Sequence, residues 1–407
     1  MIKFFREICF LVVIITVVPS VTFSAEINPH EVATFASLFK IKNMKVARNI
    51  VNEIKKKYGI KDVTKERIID ALAKKYNTSV EQLQKIEPIM INIGTLAPAN
   101  TPWIKDAIDT VIPFLSWETR GMVNAKIYAG GVMGEDADIL RKMHLGEMQG
   151  IGATAQGVMN AAPELAVLNL PLLFDNYNQV DCVMDGMRGD IDNIFEKHGY
   201  ILVGLIHTGF FYMFTKNDVT SVEQLKQQKV MTWFGKVERT YLNELDIKPI
   251  PIAVPDVLSS LQTGIVNVDT APPVWMLGVQ AFLYLRYFLT PPLFYSPSAI
   301  FLDHNQIEKQ GKRFPPGFSN DAIALFVDFM RMYEPEWRSD IVAFEKQSIG
   351  AFKKEGLRDI PISDSDMKIM EAAAKATAEK LEGDVYPAAL YNKVIQQRDM
   401  CSPRKKR

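Results

Sequence analysis

The chain has 407 residues, 48% of them hydrophobic, and carries no formal net charge. That length implies more than one domain-sized unit, because a single core rarely grows past about 250–300 residues. Neutral charge lacks the basic footprint of a general nucleic-acid binder, and the ordinary hydrophobic content argues against disorder.

Lys3 and Arg6 precede an almost unbroken apolar run from Ile8 to Val18. Pro19 and Ser20 end the run, and Thr22, Ser24 and Ala25 follow. This is the layout of a secretory signal peptide, residues 1–24 with cleavage after Ser24, and its apolar core is short for a membrane span. Export to the periplasm is therefore expected. Cys182 and Cys401 remain after cleavage, too few and too distant for a disulfide framework.

Residues 25–87 read as a helical N-terminal extension. Val32, Phe35, Leu38 and Phe39 form one apolar stripe, and Val46, Ile50, Val51 and Ile54 form another, closed by Gly59. Arg67, Ile68 and Leu72 belong to a third helix.

From Ile89 strands alternate with helices. Ile89–Leu96, Val123–Tyr128, Gly150–Ala153 and Leu168–Phe174 read as strands, with helices at Pro102–Leu115 and Asp136–Leu145. Such alternation predicts an α/β fold with a parallel sheet covered on both faces. Further strands are expected at Tyr200–His207, Tyr212–Thr215, Lys229–Trp233, Pro249–Ile252 and Val266–Thr270. Ala322–Tyr333, Glu336–Glu355 and Ser365–Leu381 have helical periodicity, and residues 401–407 form a basic tail.

Signals for catalysis are lacking. Gly130, Gly131 and Gly134 follow a strand but fit neither GxGxxG nor a P-loop, so they read as structural turns. The five histidines stand singly, none at metal-ligand spacing. Neither an enzyme, a cofactor nor a metal is expected.

One ordered set of motifs does carry information. It begins with Thr95-Leu96-Ala97-Pro98, Thr101-Pro102-Trp103 and Gly130-Gly131-Val132-Met133-Gly134-Glu135. It continues through Leu140-Arg141-Lys142-Met143, Pro163-Glu164, Leu170-Pro171, Leu261-Gln262-Thr263-Gly264 and Pro272-Pro273. In this order the motifs resemble the solute-binding subunits of tripartite ATP-independent periplasmic (TRAP) transporters, the DctP-like family, from about Ile89 to Gln397.

The resemblance implies a two-lobed periplasmic binding protein fold, with crossover strands and a long spanning helix. The solute-binding domain would span 88–400, with lobe I about 88–207 and part of 296–320, and lobe II about 208–295. The helices of 320–400 would pack on both lobes. Since the extension precedes the resemblance, the body is expected to fold and bind without it. Membrane permease subunits are the implied partners.

This chain departs from the family at the ligand grips. The family's carboxylate-holding arginine falls on Met231, its asparagine on Ala271 and a second cleft arginine near Phe211. Phe210, Trp233, Phe234 and Trp275 add aromatic surface, and Leu96 and Thr154 end strands. Trp103 and Gln156 complete the candidate ligand-binding set. The plainer reading is that these apolar residues are core. The functional reading is a pocket for a largely apolar or aromatic small molecule. Two alternatives stand beside it: an organic acid held by Arg120, Arg141 or Arg239, and a ligand-sensing or partner-binding module on the same fold. The arginine-less pattern also resembles a subgroup paired with a periplasmic tetratricopeptide-repeat protein.

Overall fold

The computed structural model describes residues 28–233 and 235–401. The signal-peptide segment, most of the basic tail and Phe234 lie outside the described residues.

The extension folds as four helices: α1 (Pro29–Leu38), α2 (Met44–Tyr58), α3 (Ile68–Lys75) and α4 (Val80–Leu83). Asn28 and Asn43 cap the first two by accepting backbone N–H bonds, which satisfies donors that the first turn leaves free. Gly59, at φ 67°, closes α2. Both stripes point inward except at Leu38, which is exposed.

The strands are β1 (Ile89–Thr95), β2 (Val123–Tyr128), β3 (Gly150–Ala153), β4 (Tyr200–Thr215), β5 (Met231–Thr232), β6 (Ile250–Pro251), β7 (Val268–Ala271), β8 (Tyr287–Thr290), β9 (Phe294–Asp303) and β10 (Arg358–Pro361). Seven form the path β10-β8-β4-β9-β3-β1-β2, with β7 also paired to β4, and β5 pairs with β6. β1, β2 and β3 are parallel, as the βαβ reading requires, whereas β9 runs antiparallel to both β3 and β4.

The segment expected as two strands is the single strand β4. Its first part pairs with β9 and its last residues with β7 and β8, so it carries the chain from one lobe into the other. Irregularities near Gly204 and Gly209 bend it at the crossing. The strand expected at Leu168–Phe174 is absent. Pro163–Asn169 is a 3₁₀ helix, and Leu172 has φ 54°, which no strand accommodates.

The helix Phe318–Lys354, called here the spanning helix, is continuous through Pro335, where the sequence suggested two helices. Its acidic residues hold the extension. Tyr76 donates to Asp321 at 2.8 Å, Lys75 also pairs with Asp321, and Lys57 and Lys42 pair with Asp328 and Asp340. Glu336 accepts from the backbone N–H groups of Lys42 and Asn43, at 2.6 and 3.1 Å.

Beneath these polar contacts the extension shares the body's apolar core. Phe35 and Phe39 pack edge-on against Phe114, which stacks on Phe329 at 3.7 Å. One hydrophobic cluster runs from Val32 and Ile50 to Trp103, Trp275 and Trp337. The apolar faces of the extension and the body cover each other, so removing the extension would expose apolar surface on the body. Cys182 and Cys401 form a disulfide across 6.3 Å between Cα atoms, tying the last helix to Tyr177–Gly186.

Candidate functional site

A cavity of about 350 Å³ lies between the lobes, a size suited to a small-molecule ligand. Lobe I supplies the carboxyl ends of β1 and β3 with the helices that follow them, where ligands sit in open α/β sheets. Lobe II contributes Trp233, Glu238, Val254 and Trp275.

Each wall has a local cause. Gly130 and Gly131, both at positive φ, turn the chain after β2 so that their N–H groups reach Ala97 and Thr95 carbonyls. That turn delivers Glu135 and Asp136 to the cavity at the start of the helix Asp136–Leu145. Trp103 is fixed by its indole N–H, which donates to the His207 carbonyl at 2.8 Å. Trp233 donates to the Thr270 carbonyl and meets Trp275 edge-on at 5.0 Å.

The lobes touch around the cavity. Val254 N–H donates to the Glu135 carboxylate across the cleft at 2.8 Å. Asn100 donates to the Gly278 carbonyl at 3.3 Å, and a Cβ on Gly278 would lie 2.9 Å from Thr101.

Of the candidate residues, Leu96, Trp103, Thr154, Gln156, Phe211, Trp233 and Trp275 line the cavity. Met231, Ala271 and Phe210 lie outside its lining. Met231 and Ala271 are fully buried in the apolar cluster, because the Trp233 indole, folded back onto β7, takes the place at the wall. Phe210 packs on Tyr177 and Tyr295 on the other side of β4, since neighbouring strand residues face opposite ways. Phe234 is outside the described residues.

The alternative arginines are elsewhere. Arg120 pairs with Asp70, Arg141 with Asp138, and Arg239 is exposed. Among the described residues, no lysine, arginine or histidine lines the cavity.

Sequence reasoning passed over the acidic wall. Glu135, Asp136 and Glu238 line the cavity, together with Trp337 and Ser296. The first two directly follow the glycine turn, a signal that could have been used. Asp136 accepts from Gly157 N–H at 3.0 Å and from the Thr154 hydroxyl, and burial pushes its carboxyl up to about 6. Glu238 accepts from Thr232 at 2.7 Å and from Trp233 N–H at 3.0 Å, and burial pushes it up to about 7. Burial raises Glu135 as well. Asp136 Oδ1, Glu238 Oε1 and Gln156 Oε1 have no hydrogen-bond partner.

A bilobed α/β molecule whose crossing strands flank an interlobe cavity has the architecture of the two-lobed solute-binding proteins. Family comparison is specific. Residues 93–383 match the DctP family, bacterial extracellular solute-binding protein family 7. The chain belongs to that family of solute-binding proteins.

Relatives include the C4-dicarboxylate-binding periplasmic protein DctP of Rhodobacter capsulatus, 25% identical over 46% of this chain and 56% of that protein. An uncharacterised protein, YiiZ of Salmonella typhimurium, is 25% identical over 41% of this chain and 52% of its own. The matches thus span about half the length of these relatives. Among solved structures, a sugar acid binding protein of Advenella mimigardefordensis in complex with galactonate superposes with TM-score 0.70. It is 16% identical, over 78% of this chain and all of that one. A TRAP solute-binding protein of Haemophilus influenzae with bound L-gulonate gives 0.69 at 15% identity, over 77% and 99% of the two chains.

Proposed function

We propose that this protein is the extracytoplasmic capture subunit of a TRAP-type uptake system. It encloses a largely apolar or aromatic small molecule between its lobes and delivers it to membrane permease subunits. The observation that carries the reading is a cavity walled by Trp103, Trp233, Trp275 and Trp337, with no cationic side chain among its described lining residues. A carboxylate in such a space would be stripped of water without a countercharge, at a cost of several kcal/mol, on the order of that of a broken buried ion pair. Each indole buried against an apolar ligand contributes roughly 2–3 kcal/mol instead. The galactonate and L-gulonate held by the structural neighbours belong to those proteins, whose sequences are at most 16% identical in these two cases.

Leu96, Trp103, Thr154, Gln156, Phe211, Trp233 and Trp275 are the ligand contacts in this reading. Residues 1–24 serve as the signal peptide, which agrees with the extracellular assignment of the family. A periplasmic tetratricopeptide-repeat protein is a further partner, on the resemblance of the arginine-less pattern.

Intrinsic fluorescence tests the reading directly. Four of the chain's five tryptophans line the cavity, and the fifth, Trp117, lies under the Arg67 guanidinium. Neutral aromatic compounds should shift the emission saturably, while succinate and sugar acids leave it unchanged. Saturation by the acids alone contradicts the proposal.

A further inference from the structure

The cavity's ionisable residues are all of one kind. Glu135, Asp136 and Glu238 are acids, and no basic side chain faces them among the described lining residues. Their free atoms are also of one kind. Glu238 is 7% exposed, lines the cavity and leaves Oε1 buried without a partner, and Asp136 Oδ1 is likewise buried and unpartnered. Gln156 spends its amide N–H on Asn160 at 2.7 Å and leaves its carbonyl oxygen free. That oxygen lies 3.3 Å from where a Cβ on Gly235 would stand, beside the turn that leads to Glu238. Leaving a buried acceptor without a donor is destabilising, so these atoms call for a donor.

We propose that the ligand is an organic amine, its ammonium group seated at Glu238 and Gln156 and its apolar body against Trp103, Trp233 and Trp275. The inference rests on the apolar-ligand reading above and adds the ligand's charge to it. An ammonium brings N–H donors to buried acceptors that lack one, a countercharge to carboxyls that burial disfavours in their ionised form, and a cation to indole faces. A neutral alcohol would supply one donor and no charge. A carboxylate would add a further anion to three acids.

Titration calorimetry at pH 8 with benzylamine, benzyl alcohol and benzoate separates these cases. Benzylamine should bind about tenfold or more tighter than benzyl alcohol, and Glu238→Gln should bring the two affinities to within about twofold of each other. Circular dichroism checks the fold of the variant. If it is unfolded, Gln156→Met is used, and the ratio of benzylamine to benzyl alcohol affinity should fall severalfold. Equal binding of amine and alcohol, or an advantage that survives both substitutions, overturns the inference and leaves the apolar reading standing. Tightest binding of benzoate, or no binding of any probe at millimolar concentration, overturns both.

Discussion

Met231 and Trp233 stand two residues apart, yet only the tryptophan reaches the cavity. Family resemblance put Met231 at a ligand grip, and a residue pattern alone could not correct it. The strand there is two residues long, so alternation does not fix which side chain ends at the wall. What decides is the Trp233 hydrogen bond to Thr270, a contact between segments 37 residues apart. Met231→Arg should therefore act on folding rather than specificity, costing about 3–5 kcal/mol through an unpaired buried cation. Urea unfolding measures the loss; an intact variant with new affinity for acids would contradict it.

Asp269 shows a second effect that sequence hides. It is fully buried in β7, neither carboxyl oxygen has a partner, and burial pushes it from 3.8 up to about 8. Below about pH 4 the folded and unfolded chains both hold this proton. Between there and about 8 the unfolded chain loses it while the folded chain keeps it, so stability falls as pH rises. Asp269→Asn should flatten that fall and raise the melting temperature at pH 8 relative to pH 5. Thermal unfolding across this range checks the sign.

At the scale of elements, the βαβ order was legible because strand and helix periods differ, and the parallel set β1, β2 and β3 follows it. Pro335 misled, since a proline inside a helix removes a hydrogen bond and costs about 3 kcal/mol. Its neighbours hold the axis through distant partners. Glu334 accepts from Leu205 N–H and Arg188, Glu336 from the extension, and Arg338 donates to the Leu205 carbonyl. Long-range contacts of the same kind tie the extension to the body, and a sequence in which it looks detachable does not display them. Removing residues 28–87 should abolish cooperative unfolding. The single change Phe39→Ala, which empties the contact with Phe35 and Phe114, should cost about 3–5 kcal/mol in urea.

For the whole molecule, sequence conveyed two lobes, and the aromatic wall in part, but not the acids that share it. Glu238 follows no motif, and closure of the lobes sets it in the same cavity wall as Gln156. That closure relies on a close approach at Gly278, where Thr101 leaves no room for a side chain. Gly278→Val should hold the lobes apart, weakening ligand binding about tenfold and enlarging the radius of gyration in small-angle scattering. A variant as compact and tight-binding as the parent would contradict it.

The proposed function gives this cavity an apolar molecule rather than an organic acid. Mass spectrometry of small molecules released on denaturing the protein, purified from its native periplasm, tests it most directly. One stoichiometric compound with an aromatic or hydrocarbon body and no carboxylate is expected. Stoichiometric release of a dicarboxylate or a sugar acid would contradict it.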